Sequence, residues 1–383
     1  MSVRYIETAE DLQGLCRELS AAEVIALDTE FLRERTYYPQ LCLIQIATDD
    51  LIACVDPLAL DDLGPLLEVL DDPNITKVLH AAKQDMEIFF HLRGRLPAPL
   101  FDTQIAASLL GGGEQVGYAN LIRQELDVHL EKTQSRTDWT RRPLTDKQLH
   151  YAADDVRYLL PLYEKQRAAL EARGRLDWLR PDFDALADPA TYRPDPDNAW
   201  RKVKGLNRLK GVQLAVVQAL AAWREQRAMD TDRPRKHILS DDAVIDIARL
   251  KPKTVADLGS LRGVHNALIQ SQGETLIGLI GEALARPKDQ WPSLPAKARL
   301  SAAEESVVDG LMAVLKIRAA EEDISAASLC SRKELERLVS GDRDIPVMGG
   351  WRFQHAGRHL EAFLNGDTRL VVENGRLVLQ AAG

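Results

Sequence analysis

Partway along this chain the hydrophobic period changes, and that change dictates at least two kinds of domain. Residues 1 to about 175 alternate short apolar runs with helical patterns. Val24 to Leu27, Leu41 to Ala47, Leu51 to Val55 and Lys77 to Leu79 read as strands, with Thr48-Asp49-Asp50 as a hairpin turn. A helical pattern follows through Met86, Phe89 and Phe90. Hairpin-linked strands followed by alternating helices predict an α/β domain on a mixed sheet rather than a purely parallel one. Pro181, Pro189, Pro194 and Pro196 then interrupt the chain, and from Trp200 onward the patterns are helical, broken again between Pro287 and Pro295. The expected organisation is an α/β domain over 1–175, a Pro/Asp-rich linker over 176–199, a helical domain over 200–286, a linker over 287–299 and a second helical domain over 300–383.

The two helical segments are related. A shift of 91 residues lays Val216-Val217 on Val307-Val308, Arg227-Ala228 on Arg318-Ala319 and Ser240 on Ser331. The apolar Val244 and Ile247 fall on Leu335 and Leu338. The match runs ungapped for about thirty residues and predicts a duplicated small helical domain, with chance similarity between amphipathic helices as the competing explanation. Leu370 to Leu379 closes the chain as a β-hairpin turning at Asn374-Gly375.

The net charge of −9 argues against a polyanionic ligand, but its distribution argues for one. Trp200 to Lys253 holds 13 Lys/Arg and 6 Asp/Glu, a local charge of +7 (13 − 6). A solvated helical face is the plain alternative. No run of about eighteen apolar residues occurs, so no membrane span is expected. Met1-Ser2-Val3-Arg4-Tyr5 lacks the basic region and apolar run of a secretory signal, so a cytoplasmic location is expected. Cys16, Cys42, Cys54 and Cys330 form no C-x-x-C pair and read as reduced core residues.

Chemistry concentrates in three places. Asp28-Thr29-Glu30 closes the first strand, and side chains two apart on a strand share a face. A lone D-x-E is more often a polar strand end; the apolar run before this one sets it against a buried sheet. Asp85 falls in the first turns of a helix, where an acid also suits the helix dipole. His80 reads as a packed or surface histidine, since no second histidine stands at ligand spacing. Thr145-Asp146-Lys147-Gln148 is a capping-box pattern that starts a helix, with Leu149, Ala152, Val156, Leu159, Leu160 and Tyr163 as its apolar stripe. Tyr151 and Asp155, four apart, lie on one face of it. His150 competes with Tyr151 for that role. On a running helix its five-residue step to Asp155 points about 140° away, whereas the four-residue step is about 40° off. The cap at Thr145 therefore favours Tyr151. Asp154 is expected to face solvent or act as a surface cap partner.

Asp28, Glu30, Asp85 and Asp155 have no obvious salt-bridge partner beside them. Two full charges about 5 Å apart repel by roughly 3 kcal/mol at an effective dielectric of about 20, and four clustered carboxylates by roughly 20 kcal/mol at most. Protonation of one or two acids relieves part of this. A pair of divalent cations relieves it fully and can generate a hydroxide, hold a phosphate and stabilise a leaving oxygen. A metal-dependent phosphodiester hydrolase with two Mg²⁺ or Mn²⁺ ions is the leading expectation. A phenol, titrating near about 10, is a poor general base, so Tyr151 is expected to position the attacking water.

The stretches VIALDTEFLRERTYYPQLCLIQIA, KVLHAAKQDMEIF and HYAADDVRYLLPLY, with KTQSRTDWTRRPL at 132–144 ahead of the last, carry a family likeness. In this order they resemble ribonuclease D, in the tyrosine subclass of the DEDD exonucleases, and the helical half resembles the HRDC domain. The likeness spans nearly the whole chain, most strongly 20–165, then 200–285, and more weakly 300–383. It implies an α/β RNase H-like exonuclease domain, a mixed sheet with flanking helices, followed by two all-α HRDC-like domains. It implies hydrolysis of RNA 3′ ends to nucleoside 5′-monophosphates, typically in tRNA 3′ processing. By motif position, Asp28, Glu30 and Asp155 match an inner metal site, Asp28 bridges to a second ion with Asp85 in its outer shell, and Tyr151 matches a water-positioning tyrosine. All five positions are filled, which implies an active enzyme.

The substrate would then be RNA, with tRNA precursors bearing 3′ extensions as the expected partner and no protein or membrane partner. Lys202, Lys204, Arg208 and Lys210 are candidates for phosphate contacts along its body. Tyr37, Tyr38 and Phe31 are candidates for stacking on terminal bases, with core packing an equal explanation for Phe31. Two other readings stay open on sequence alone. One is a DNA 3′→5′ exonuclease with the same chemistry, which the lack of a helicase or polymerase module disfavours. The other is a non-catalytic RNA-binding scaffold, which the complete five-residue set disfavours.

Overall fold

The computed structural model describes residues 3–113, 115–131, 137–294 and 300–382, so part of the 132–144 motif and the end of the 287–299 linker lie outside the described residues. The chain divides into two compact units. One comprises Met1–Glu30, Cys42–Thr191 and Ala298–Gly383; the other comprises Phe31–Leu41 and Tyr192–Lys297.

The first unit is built on β1 (Val3–Ile6), β2 (Val24–Leu32), β3 (Gln40–Ala47), β4 (Ile52–Val55), β5 (Thr76–Leu79) and β6 (Leu100–Asp102), in the order β1-β4-β3-β2-β5-β6. β1 pairs parallel with β4, β3 antiparallel with β4, and β5 parallel with both β2 and β6, which makes the expected mixed sheet. Around it lie α1 (Ala9–Leu19), α2 (Gly64–Leu70), α3 (Lys83–Arg93), α4 (Thr103–Ser108), α5 (Tyr118–Leu126), α6 (Asp146–Arg157) and α7 (Leu159–Ala172). From Leu41 to Ala47, β3 is buried throughout, the signature of a strand covered on both faces. On one face Ala26, Ala47, Ile52 and Val78 pack with Ala153 and Val156 of α6 and Leu159 and Leu160 of α7.

Residues 176–199, expected as a linker, are largely folded. Leu176–Leu179 and Pro189–Thr191 form 3₁₀ turns around α8 (Arg180–Leu186). Pro181 sits at the start of α8, where a missing N–H breaks no helical bond. Phe183 packs edge-on against Phe101, ring centroids 5.5 Å apart. The proline here begins a helix that the composition disguised.

In the second unit α9 (Val212–Asp230), α10 (Arg235–Ile238), α11 (Asp241–Leu250), α12 (Val255–Gly259) and α13 (Asn266–Ala285) enclose a core that includes Leu214, Val217, Leu220, Val244, Ile247 and Leu276. The first unit holds α14 (Ala302–Glu321), α15 (Ala326–Leu329) and α16 (Arg332–Val339) around Val308, Leu311, Leu315, Leu335 and Leu338. α10 and α15 begin 91 residues apart (326 − 235), as do α11 and α16 (332 − 241). The N-cap serines Ser240 and Ser331 each accept from the backbone N–H three residues on. The repeat seen in the sequence thus extends to element boundaries. The copies then diverge, since α13 has 20 residues whereas the stretch 350–364 is interrupted by a π turn at Phe353–Gly357. The chain ends in the expected hairpin, β7 (Thr368–Glu373) and β8 (Arg376–Ala381), turning through Asn374 and Gly375 at φ 49° and 75°. Among the described residues no helix is long and apolar enough to cross a membrane. All four cysteines are free and buried.

Candidate active site

Asp28 and Glu30 follow Ala26 at two-residue steps along β2, so they share the face that packs on α6 and α7. Thr29 between them is buried and donates its hydroxyl to Asp85 Oδ1 at 2.5 Å. Asp85 is presented by a sharp turn after β5, with Ala81 at φ 58° before α3 begins. Asp102, at the end of β6, fixes that turn. Its carboxylate accepts from Ala81 N at 3.1 Å and Ala82 N at 2.8 Å, and it caps α4 through Gln104 N at 2.8 Å. α6 opens with the expected capping box of Thr145 and Gln148. Tyr151 and Asp155 therefore stand one turn apart on it.

The four acids act on one another. Burial, then the charges of Asp85, Asp155 and Glu30, hold Asp28 well above the usual carboxylate range. Burial, then Asp155 and Asp85, push Glu30 to about 8. Asp85 and Asp155 are each raised to about 7, chiefly by burial; the Thr29 bond opposes the shift at Asp85, and Asp154 adds to it at Asp155. The Tyr151 phenol is raised by burial and then by Asp155, Glu30 and Asp28, so it too belongs to the cluster. The His150 side chain is 72% exposed and turns to Asp154 at 3.4 Å, as the helical step requires. Asp154 also accepts from Arg157 Nε at 2.8 Å, a partly exposed surface pairing. His80 is a packed histidine, with Nδ1 2.9 Å from Thr103 Oγ1 and Nε2 3.0 Å from Val116 O.

Four oxygen-donor acids, with the charges of Asp85 and Asp155 acting on Asp28 and Glu30, form a donor set suited to a hard divalent cation. Their side chains do not form a closed cage: among the described residues no three His, Cys, Asp or Glu side chains are disposed to hold an ion. Asp85 is bonded to Thr29 instead.

Other residues shape the site, among them Trp139 and Arg142 of the 132–144 stretch, whose individual roles the motif does not assign. Trp139 is buried and lies beside Tyr151, ring centroids 6.2 Å apart. Its segment is anchored by Arg142, which donates to both oxygens of Asp56 at 2.5 and 2.7 Å, to Cys42 O at 2.7 Å and to Trp139 O at 2.8 Å. Tyr5 also donates to Asp56. Half-buried Tyr118 donates its hydroxyl to Asp154 O at 3.1 Å and feels the charges of Asp155 and Asp28. A cavity of about 1060 Å³ runs along α6, lined by Tyr151, His150, Asp154, Lys147 and His129 among others.

Lys202, Lys204, Arg208 and Lys210 are exposed, on a segment whose Val203, Leu206 and Leu209 are buried in the core of the second unit. Tyr37 does not stand free for a base. Its hydroxyl donates to Glu225 at 2.5 Å, its backbone N–H bonds Asp232, and Arg235 lies 4.8 Å over its ring. Tyr38 packs edge-on against it at 4.8 Å. These contacts tie Tyr37 into the packing of the second unit.

A mixed sheet that gathers four acids and a tyrosine, continued by a helical module, defines the class of 3′-5′ exonucleases with an HRDC domain. The family described as 3′-5′ exonuclease matches residues 3–171, and that described as HRDC domain matches residues 213–280. Ribonuclease D of Gluconacetobacter diazotrophicus is 38% identical over 99% of this chain and 94% of that protein. Ribonuclease D of Acidiphilium cryptum is 39% identical over 99% of this chain and 95% of its own length. The crystal structure of Escherichia coli RNase D, described as an exoribonuclease involved in structured RNA processing, superposes with a TM-score of 0.84 at 34% identity, covering 95% of this chain and 99% of that one. This chain belongs to the ribonuclease D family. It is an exoribonuclease acting on RNA from the 3′ end, in a family whose chemistry implies divalent metal ions.

Proposed function

We propose that this chain releases nucleoside 5′-monophosphates from RNA 3′ ends by two-metal hydrolysis in the cytoplasm, with 3′-extended tRNA precursors as substrates. The observation that carries the mechanism is that burial raises Asp28, Glu30, Asp85 and Asp155 together, with the charges of Asp85 and Asp155 adding to the shift at Asp28 and Glu30, a set of acids that calls for a positive counter-charge. Asp28, Glu30 and Asp155 would hold one ion, and Asp28 and Asp85 would serve a second. When bound, a pair of Mg²⁺ or Mn²⁺ ions supplies an activated water and charge compensation at the scissile phosphate. Tyr151, whose phenol stays protonated, orients the attacking water by hydrogen bond and takes no proton itself. Asp102 and Thr145 act earlier in the chain of causes, setting the turn and the helix that present Asp85 and Asp155. The exposed cations from Lys202 to Lys210 suit phosphates along the substrate body.

Incubation with a 3′-extended tRNA and Mg²⁺, followed by chromatography of the products, tests this. Nucleoside 5′-monophosphates should accumulate, release should stop with chelator, and Asp28→Asn should abolish it. Products ending in 3′-phosphate would overturn the chemistry. Faster degradation of a matched DNA oligomer would overturn the substrate.

A further inference from the structure

Between Leu41 and Ala47 every residue of β3 is apolar except Gln45. Gln45 is wholly buried, and neither its Oε1 nor its Nε2 has a hydrogen-bond partner among the described residues. An amide unpaired at both ends in an apolar strand opposes folding, so its position calls for an explanation. Register supplies one. Gln45 stands opposite Cys54 in the antiparallel pair of β3 and β4, so the two side chains share a face. Two residues along each strand, Ala47 and Ile52 pack with Ala26 of β2 and with Ala153 and Val156 of α6. That is the face on which Asp28 follows Ala26 and from which α6 presents Asp155. Electrostatics agrees, since the charge of Asp155 adds to burial in raising the Cys54 thiol. The Gln45 amide and the acids therefore lie in one layer between sheet and helix.

Resting on the metal-site reading above, we propose that Gln45 is a positioning residue for Asp155, its amide N–H donating to that carboxylate as the acids converge on cations. A neutral donor suits the task. It steadies an ionised carboxylate without adding a negative charge, as a glutamate would, and without replacing the cation, as a lysine would. The competing account is a core polar group with no function. It predicts that an apolar residue of similar volume improves the protein and leaves everything else alone.

Gln45→Met separates the two accounts. The variant should melt at or above the unsubstituted protein without metal, yet bind Mn²⁺ about tenfold more weakly, read by electron paramagnetic resonance without substrate. On a short RNA oligomer kcat should fall about 10- to 100-fold with KM unchanged, and part of the loss should return at high Mn²⁺. Unchanged Mn²⁺ affinity and turnover would overturn the proposal. Asp155→Asn in the same assays guards the reading beneath it. If that variant binds Mn²⁺ and turns over normally, the metal site itself is wrong; if it is inactive while Gln45→Met is normal, only the role of Gln45 falls. Should Gln45→Met melt lower than the unsubstituted protein, Gln45→Leu is read against the same outcomes.

Discussion

At the scale of single residues, burial of the acids, with the charges of Asp85 and Asp155 added at Glu30, sets a pH response of definite sign. Glu30 is held at about 8 and Asp85 and Asp155 at about 7, against roughly 4 for such groups in an unfolded chain. The folded state therefore binds more protons than the unfolded state between about pH 4 and pH 8, and stability falls as pH rises through that window. Metal-free protein should melt progressively lower from about pH 5 to pH 8. Mg²⁺ or Mn²⁺ should restore the melting temperature at the upper end, because a ligand of the folded state alone stabilises it. Scanning fluorimetry in chelator and in metal checks both; a melting temperature that rises with pH would mean that these carboxyls are not held above their ordinary range in the folded state. Tyr151 carries a separate prediction. Removing its hydroxyl in Tyr151→Phe leaves the ring against Trp139 and should lower kcat by about 10- to 1000-fold, with little change in RNA affinity. His150→Ala, on the exposed side of α6, should leave kcat nearly unaltered. The reverse pattern in single-turnover assays would transfer the role to His150.

At the scale of elements, legibility in the sequence depends on how local the signal is. Thr145 and Gln148 form a capping box within four residues, and the cap sets the phase that puts Tyr151 and Asp155 together. Alternation along β2 suffices to place Asp28 and Glu30 on one face. β1 escapes notice because Arg4 and Tyr5 interrupt its apolar pattern, and β6 because three residues show no period. α8 is hidden by the same prolines that signal a linker elsewhere. The Arg142–Asp56 pair joins residues 86 apart, so no spacing rule reaches it, yet it holds the segment that lays Trp139 beside Tyr151. Asp56 is 1% exposed. Arg142→Ala would leave that carboxylate buried with Tyr5 as its remaining side-chain donor and should destabilise the protein by about 3–5 kcal/mol. Urea unfolding at neutral pH measures this, and a loss below about 1 kcal/mol would show that Asp56 does not depend on Arg142 for its charge.

At the scale of the whole molecule, one helical module occurs twice, and its copies differ in packing and in charge. The second copy packs within the unit that contains the exonuclease sheet. Arg175 donates to Leu109 O at 2.9 Å and to Glu322 O at 2.5 Å, Ser325 N to Ser108 O at 2.8 Å, and Arg352 to both oxygens of Asp182 at 2.8 and 3.1 Å. Trp178 stacks on Trp351 at 4.5 Å. Residues 291–344, the counterpart of 200–253 after the 91-residue shift, hold 8 basic and 10 acidic residues, a charge of −2 (8 − 10) against +7 in the first copy. A segment of that sign suits a polyanion such as RNA less well than does the first copy. Its Lys202, Lys204, Arg208 and Lys210 project outward while the apolar residues between them anchor the segment. Changing all four to Glu should weaken binding of a long single-stranded RNA and flatten its salt dependence by about 3 log units per log salt, at about 0.7 for each lost phosphate contact. Hydrolysis of a dinucleotide, too short to span beyond the acids, should continue at the unaltered rate. Filter binding across a salt series reads the first effect and product chromatography the second; long-RNA affinity that stays the same at low salt would remove this segment from the RNA interface, whereas equal losses on both substrates would mean that the four charges support the fold rather than the contact.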